Sequence, residues 1–473
     1  MRRVSRLYRE FLIAPALVAA LGLAGCGGSS GSKPTTSPTV AAKPAARPAE
    51  PKPAPLPSGL STAALKDFET ALPGGNSGSA LDLNRPDGEA PQVRVALLLP
   101  LTGPAADAGQ MMLKAAQLAL FDSGQKRLVL MPKDTRSTLE GAQEAAREAA
   151  ADGANLVLGP LFGAHVRAVA SIMQPRGVPV IAFSNDRTVA GNGAAIIGLT
   201  PETELRRMLA FARLQGLTQI AAFLPDSNFG YLVADRLLEL APQSAVTVER
   251  IGHYPAGSDA SDEALLQAAR DFASYDERKL ELEKERKRLE ERGDEISERA
   301  LARLEKLDTL GDPPYQAVLL AEPGSRLATV APLLAFYDVD PTIIQFMGLS
   351  NWFAPDLGTE PTLVGGWFSH PEPVTYRQLL KRYGDTYEAE ANWLAALAYD
   401  AVAVAADAAG SAPDNGRVDP SLLLSPSGYA AYAGPFRINS DGTADRLLSV
   451  LRVEPTGLAV IDPAPPAFQV LTD

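Results

Sequence analysis

From Val93 onward, apolar residues come in short runs separated by longer amphipathic stretches. Residues 93–99, VRVALLL, form a near-continuous apolar run, the pattern of a strand covered on both faces. Shorter runs at 128–131, 155–158, 178–183, 219–224, 245–251, 317–321 and 342–347 predict further strands. Helical stretches fall between them: 107–122, a segment opening at Ser137 with Glu140 three positions on, one following Thr200-Pro201, 227–240 and 325–337. Ser137 and Glu140 have the spacing of a capping box. Strands separated by helices of this length predict parallel sheets in an α/β fold.

Residues 27–91 read differently. Lys43-Pro44-Ala45-Ala46-Arg47-Pro48 and Pro51-Lys52-Pro53-Ala54-Pro55 typify a segment too poor in apolar residues to bury a core. We read 26–90 as a disordered tether. About 65 residues span roughly 50 Å as a coil and roughly 200 Å as polyproline II.

Ahead of the tether stand Arg2, Arg3, Arg6 and Arg9, then an apolar run over 11–23 and the small residues Ala24 and Gly25. A basic segment, a short apolar segment and a small-residue cut site predict a secretory signal peptide over 1–25. The apolar run falls short of the roughly 20 residues a membrane span needs, and the reading finds no other stretch long and apolar enough. Cys26 is the single cysteine of 473 residues. Leu23-Ala24-Gly25-Cys26 resembles the lipobox of bacterial lipoproteins. The resemblance implies that Cys26 is the first mature residue and carries acyl chains. Gly27 in place of aspartate implies an outer-membrane address, with the protein facing the periplasm.

Between about 263 and 310 the pattern turns to dense alternating charge, as in Glu281, Glu283, Lys284, Glu285, Arg286, Lys287 and Arg288. Leu282, Leu289 and Ile296 lie seven apart, and Ala300, Leu304 and Leu307 follow at helical spacing. Gly293-Asp294 reads as a turn. The expectation is an antiparallel helical hairpin over 276–308, closing on its own thin leucine seam and attached at Phe272 and Leu310. It is either a solvated decoration or an arm for a partner protein.

Composition narrows the function. The net charge of −12 argues against nucleic acid, whose binding needs a basic stripe. With Cys26 at the anchor, no disulfide or thiolate metal site is expected. His165, His253 and His370 are widely spaced and read as surface histidines rather than metal ligands. No nucleophile elbow, phosphate loop or zinc-protease motif occurs, so no enzyme activity, metal or cofactor is expected.

Several segments, in order, carry a resemblance. They are Val95-Ala96-Leu97-Leu98-Leu99-Pro100-Leu101-Thr102-Gly103, Leu158-Gly159-Pro160, Val178-Pro179-Val180-Ile181-Ala182-Phe183-Ser184, Phe346-Met347-Gly348, Ala398-Tyr399-Asp400-Ala401 and Gly434-Pro435-Phe436 with Asp441-Gly442. Together they make residues 91–473 resemble a type I periplasmic binding protein of the leucine-binding kind. The resemblance implies two doubly wound Rossmann-like lobes: lobe one about 91–200 and 346–432, lobe two about 201–345 and 433–473.

Within that superfamily two groups fit. Leu158-Gly159-Pro160-Leu161-Phe162, the lipobox and the tether resemble the penicillin-binding protein activator lipoproteins, in their C-terminal domain (LpoA). This implies a peptidoglycan synthase as partner. Where that family has a helical-repeat N-terminal domain, this sequence is expected to have the Pro-rich tether instead. The alternative is a lipid-anchored substrate-binding protein of a branched-chain amino acid type ABC transporter.

Ligands of α/β lobes sit at the carboxyl ends of strands. This nominates Leu101, Thr102, Gly103, Leu161, Phe162, Ser184, Asn185 and Asp186 on lobe one, and Asp226, Asn228, Phe229 and Glu322 on lobe two. In amino-acid receptors of the fold, hydroxyls and backbone amides hold the ligand carboxylate and an acid holds its ammonium. Here 161–164 offer no hydroxyl, and Asp186 brings a carboxylate of its own. The plain alternative is that these Asp and Asn residues only cap loops.

Overall fold

The computed structural model describes residues 92–256, 262–354, 356–413 and 415–468; the signal segment, Cys26 and the whole of the tether lie outside them. The first sheet holds β1 (Val93–Leu99), β2 (Leu128–Asp134), β3 (Leu156–Leu158), β4 (Val180–Ala182) and β5 (Ala194–Ile196). Every pair is parallel, in the order β2-β1-β3-β4-β5. The apolar run of β1 is explained by two cores. Val93, Val95, Leu97 and Leu99 join the core of helices Ala106–Ser123 and Trp393–Ser411, while Ala96 and Leu98 join that of Leu139–Ala151 and Gly163–Met173. Each leucine so buried contributes about 1.5–3 kcal/mol.

The second sheet holds β6 (Gln219–Asp226), β7 (Thr247–Pro255), β8 (Ala317–Leu320), β9 (Gln345–Gly348) and β10 (Trp367–His370). After the short pair β11 (Phe436–Ile438) and β12 (Ala444–Arg446), the chain adds β13 (Ser449–Glu454) and β14 (Gly457–Asp462). The order is β14-β13-β10-β9-β8-β6-β7, parallel except for β13 and β14. This is the two-lobed α/β architecture that the sequence predicts.

Two boundaries move. The expected return to lobe one at 346 comes instead between His370 and Pro373, because β9 and β10 extend the second sheet beside β8. The expected final passage to lobe two at 433 comes instead after Arg446, because Phe436 and Ile438 belong to the lobe-one core. Lobe one is therefore 92–200 and 373–446, and lobe two 201–370 and 449–468.

The reading that only the leader is long and apolar is also corrected. Helix Trp393–Ser411 meets the length and composition of a span, with 72% of its window buried. Its alanines pack on those of helix Ala106–Ser123, so it is a core helix of lobe one.

The hairpin exists as helices Tyr275–Arg292 and Glu295–Leu304, with Gly293 in the left-handed region at the turn (φ 58°). Arg286 Nη2 donates to Leu304 O at 2.7 Å, which sets the helices antiparallel. Its seam differs from expectation: Leu282 and Leu289 are buried, but Ile296 is 73% exposed. The helix start at Asp294 turns Ser297 inward instead. The base is stitched to the lobe. Leu310 N donates to Arg278 O, Arg278 Nη2 donates to Gly311 O at 2.5 Å, and the Tyr275 and Tyr337 rings meet edge to face at 5.3 Å.

Candidate functional site

The nominated residues fall at the carboxyl ends of both sheets, in distinct groups. After β1, the Leu101–Gly103 turn is organised by Asp134 at the end of β2. Asp134 Oδ1 accepts from Leu101 N (2.9 Å) and Thr102 N (3.1 Å), and Oδ2 accepts the Thr102 hydroxyl at 2.6 Å. The one hydroxyl of this turn is thus spent inside the protein. Ser137 is not the helix cap: Thr138 accepts Gly141 N at 3.0 Å and starts the helix. Ser137 instead donates to Thr102 O at 2.9 Å and accepts from Ala105 N at 3.2 Å. Gly103 is required there, with φ 85° and Arg136 O only 2.7 Å from where a Cβ would stand.

The second group joins the ends of β3 and β4. Helix Gly163–Met173 begins at Phe162, whose side chain cannot cap it. Its first N–H groups therefore face the strand ends with the partial positive charge of a helix start. Against this start sit Ser184 and Asp186. A Cβ on Gly163 would lie 2.9 Å from Ser184 Oγ, 3.2 Å from Asp186 Cβ and 3.5 Å from Asp186 Oδ2. Ser184 is buried and accepts Asp186 N at 3.0 Å. Asp186 Oδ1 accepts Thr188 N (2.9 Å) and the Thr188 hydroxyl (2.7 Å). Loop capping is thus one role of Asp186. Its other oxygen remains beside the helix start. Asn185 is exposed, and Leu161 packs on the lobe core.

His165 belongs with this group and was not nominated. It is 8% exposed, edge-on to Phe162 at 5.3 Å, and its Nδ1 has no hydrogen-bond partner among the described residues. Burial pushes its pKa down, and Glu140 pulls it back up. The sequence signal was its place three residues after Phe162. His370 is also buried, stacked on Phe353 at 4.0 Å, with burial pushing its pKa down to about 4. The expectation of surface histidines fails for both, because each sits where an element of one lobe meets other packed elements.

On lobe two, Ser227 caps helix Asn228–Leu240 by accepting Gly230 N at 3.1 Å. Asp226 accepts the Tyr231 hydroxyl at 2.8 Å, Asn228 is exposed, and Phe229 packs on the core. Glu322, just beyond β8, is buried, with Arg326 Nε 3.8 Å away. Arg326 Nη2 donates to Pro255 O at 2.6 Å, tying the ends of β7 and β8. Tyr254, beneath that guanidinium, has its pKa raised by burial and then by Glu322.

Two cavities lie away from these groups. One of about 530 Å³ is lined by the C-terminal end of helix Ala106–Ser123 and one side of helix Trp393–Ser411; one of about 610 Å³ lies beside β7 and helix Asp262–Phe272. Neither is lined by a nominated residue. Among the described residues there is no cluster of three or more metal-ligating side chains.

Comparison with known proteins follows the architecture. The family model described as periplasmic binding protein matches residues 92–457. No curated protein matches the chain. Among solved structures, a candidate branched-chain amino acid ABC transporter protein of Rhodospirillum rubrum superposes with a TM-score of 0.61 at 20% identity, covering 78% of this chain and 100% of that one. The leucine-binding protein of Thermotoga maritima gives 0.53 at 18%, covering 79% and 99%. A solute-binding protein of Rhodopseudomonas palustris in complex with 3,4-dihydroxybenzoic acid gives 0.55 at 16%, covering 80% and 97%.

Proposed function

The chain belongs to the periplasmic binding protein family, and from that premise we propose that it is a non-catalytic, lipid-anchored binding protein of the substrate-binding kind. The family places it in the periplasm or envelope; the outer-membrane anchor through Cys26 is part of the proposal. The ligand lies between the strand ends of the two lobes. The observation that carries the reading is the uncapped start of helix Gly163–Met173, open at the strand ends with Ser184 and Asp186 beside it.

That geometry also restricts the ligand. The compared structures are named for leucine, branched-chain amino acids or 3,4-dihydroxybenzoic acid, all of which carry a carboxylate. Here a ligand carboxylate within about 4 Å of Asp186 meets about 1 kcal/mol of repulsion in water and about 4 kcal/mol at an effective dielectric of about 20. A helix start returns only about 0.3–1 kcal/mol. Repulsion wins, so the lobe-one end of the ligand carries an amine or a neutral donor. A thermal-shift screen of the Cys26→Ala protein against amines, diamines and amino alcohols tests this. A hit lost in Asp186→Ala supports it; the same hit undisturbed by that change contradicts the assignment.

A second reading has its own support. A long tether, a lipobox and a charged projecting hairpin suit an activator of a penicillin-binding protein, which must reach from a membrane to the wall. Crosslinking in intact cells followed by mass spectrometry separates the two. Recovery of a peptidoglycan synthase through hairpin residues supports the activator; recovery of a permease supports the transport reading.

A further inference from the structure

The chain passes between the lobes at about 197–200, 371–372 and 447–448. After β14 it reaches lobe one again, this time through a side chain. Asp462, the last residue of β14, is held to lobe two: its Oδ2 accepts Arg207 Nη2 at 2.6 Å, and it stands opposite Val450 of β13. Arg207 Nε also donates to Leu448 O at 2.7 Å. Two residues on, Ala464 N donates to Ser449 Oγ at 3.0 Å, and that hydroxyl donates to Glu372 Oε2 at 3.3 Å. Phe468, six residues after Asp462, lies on lobe one. The Arg437 guanidinium of β11 is 5.0 Å from the centroid of its ring, and a Cβ on Gly428 would stand 2.5 Å from Phe468 Cε2. Asp445 Oδ2 of β12 holds that guanidinium, accepting from Nε at 3.0 Å and Nη2 at 2.9 Å. The bonds of 462–464 thus go to lobe two and the crossings, whereas the contacts of Phe468 go to lobe one.

The segment between these two anchorages is stiff. Residues 462–466 read Asp-Pro-Ala-Pro-Pro, so each is a proline or precedes one. A proline fixes its own φ near about −65°, and the residue before it is confined to extended backbone. Such a segment neither stretches nor coils to follow a moving lobe, and it loses little freedom on docking. Pro463, Pro465, Pro466 and Ala467 are exposed while Phe468 is half-buried, so the ring is the grip on lobe one. Turning the lobes about their crossings moves Gly428 and Arg437 relative to Asp462. The prolines cannot follow, so the ring must leave its notch. We propose that residues 463–468 are an interlobe strap: Phe468, clipped against Gly428 and Arg437, holds the unliganded lobes at one angle, and rotation of the lobes requires its release. The inference is independent of which ligand or partner the protein takes.

Electron spin distance measurement tests it, on the full chain carrying Cys26→Ala with nitroxides at Lys126→Cys on lobe one and Arg213→Cys on lobe two, both exposed positions. The expected result is a single narrow interlobe distance without ligand. Phe468→Ala should at least double its width while circular dichroism stays unchanged. Pro465→Gly with Pro466→Gly, which keeps the ring but loosens the strap, should broaden it in the same sense. A folded Phe468→Ala with the parent width overturns the proposal, as does a parent that is already broad or two-peaked. Should the variants fail to fold, the parent strap itself decides, labelled at the exposed Ala467→Cys and at Lys126→Cys. One narrow distance supports a strap clipped to lobe one, and a broad distribution overturns it.

Discussion

Asp186 and Gly163 face each other across the ends of β3 and β4, with Asp186 Cβ 3.2 Å from the position that a Cβ on Gly163 would take. The start of helix Gly163–Met173 and the loop after β4 are thus fitted around a missing side chain. Gly163→Ala should therefore destabilise the protein, although alanine is the better helix former by up to about 1 kcal/mol. Displacing Ser184 and Asp186 costs about 1–3 kcal/mol, as overpacking does. Adding Ser184→Ala, which removes the Oγ 2.9 Å from that position, should recover part of that loss. Denaturant unfolding of the two single variants and the double variant measures it, and strictly additive effects would contradict the contact.

Glu204 gives a pH dependence with a definite sign. It is fully buried, accepts Ser350 N at 2.5 Å, and burial pushes its pKa up to about 7, against the opposing pull of Ser350 and Ser369. The folded state thus holds the proton more tightly than the unfolded chain. Its stabilising contribution is complete below about 4.5 and is lost as pH rises toward and through about 7. The difference between parent and Glu204→Gln should shift by up to about 3 kcal/mol between pH 5 and 8, with the variant gaining at high pH. Equal slopes in the two proteins would rule the assignment out.

Local signals in the sequence were read well where they were local in the structure. The apolar run of β1, the helix start near Ser227 and the Thr200-Pro201 helix start each depend on adjacent residues. The lobe boundaries were not legible, because only tertiary pairing places β9 and β10 beside β8. The strands Ala194–Ile196, Phe436–Ile438 and Ala444–Arg446 are three residues each, too short to show a period. At the candidate site, strand-end logic nominated Ser184 and Asp186, which the structure sets against the start of helix Gly163–Met173. It could not show that Asp134 consumes the Thr102 hydroxyl, since the two meet only through sheet register.

The hairpin should be separable from the fold, but not at its root. Replacing 280–306 with a short Gly-Ser loop removes mostly exposed charge and the Leu282–Leu289 seam, and loop closure changes by only about 1 kcal/mol. Most stability should survive. Extending the cut to Tyr275 and Arg278 removes the contacts to Tyr337 and Gly311, and should cost a further 1–3 kcal/mol or so. Thermal unfolding of the two deletions compares them; equal losses would mean the root carries nothing.

The anchor is tested by Cys26→Ala. The account predicts release into the soluble periplasmic fraction, since several acyl chains bind a membrane where none would. A variant that still sediments with the outer membrane would remove the lipid from the account.

The central claim is that the lobe-one strand ends turn carboxylates away at Asp186. Calorimetric titration of the Cys26→Ala protein and its Asp186→Asn variant with leucine and with benzoate tests it most directly. The parent should bind neither more tightly than about 1 mM, near −4 kcal/mol, and the variant should gain at least about tenfold for one of them. Micromolar binding of either ligand by the parent, undiminished relative to the variant, would contradict it.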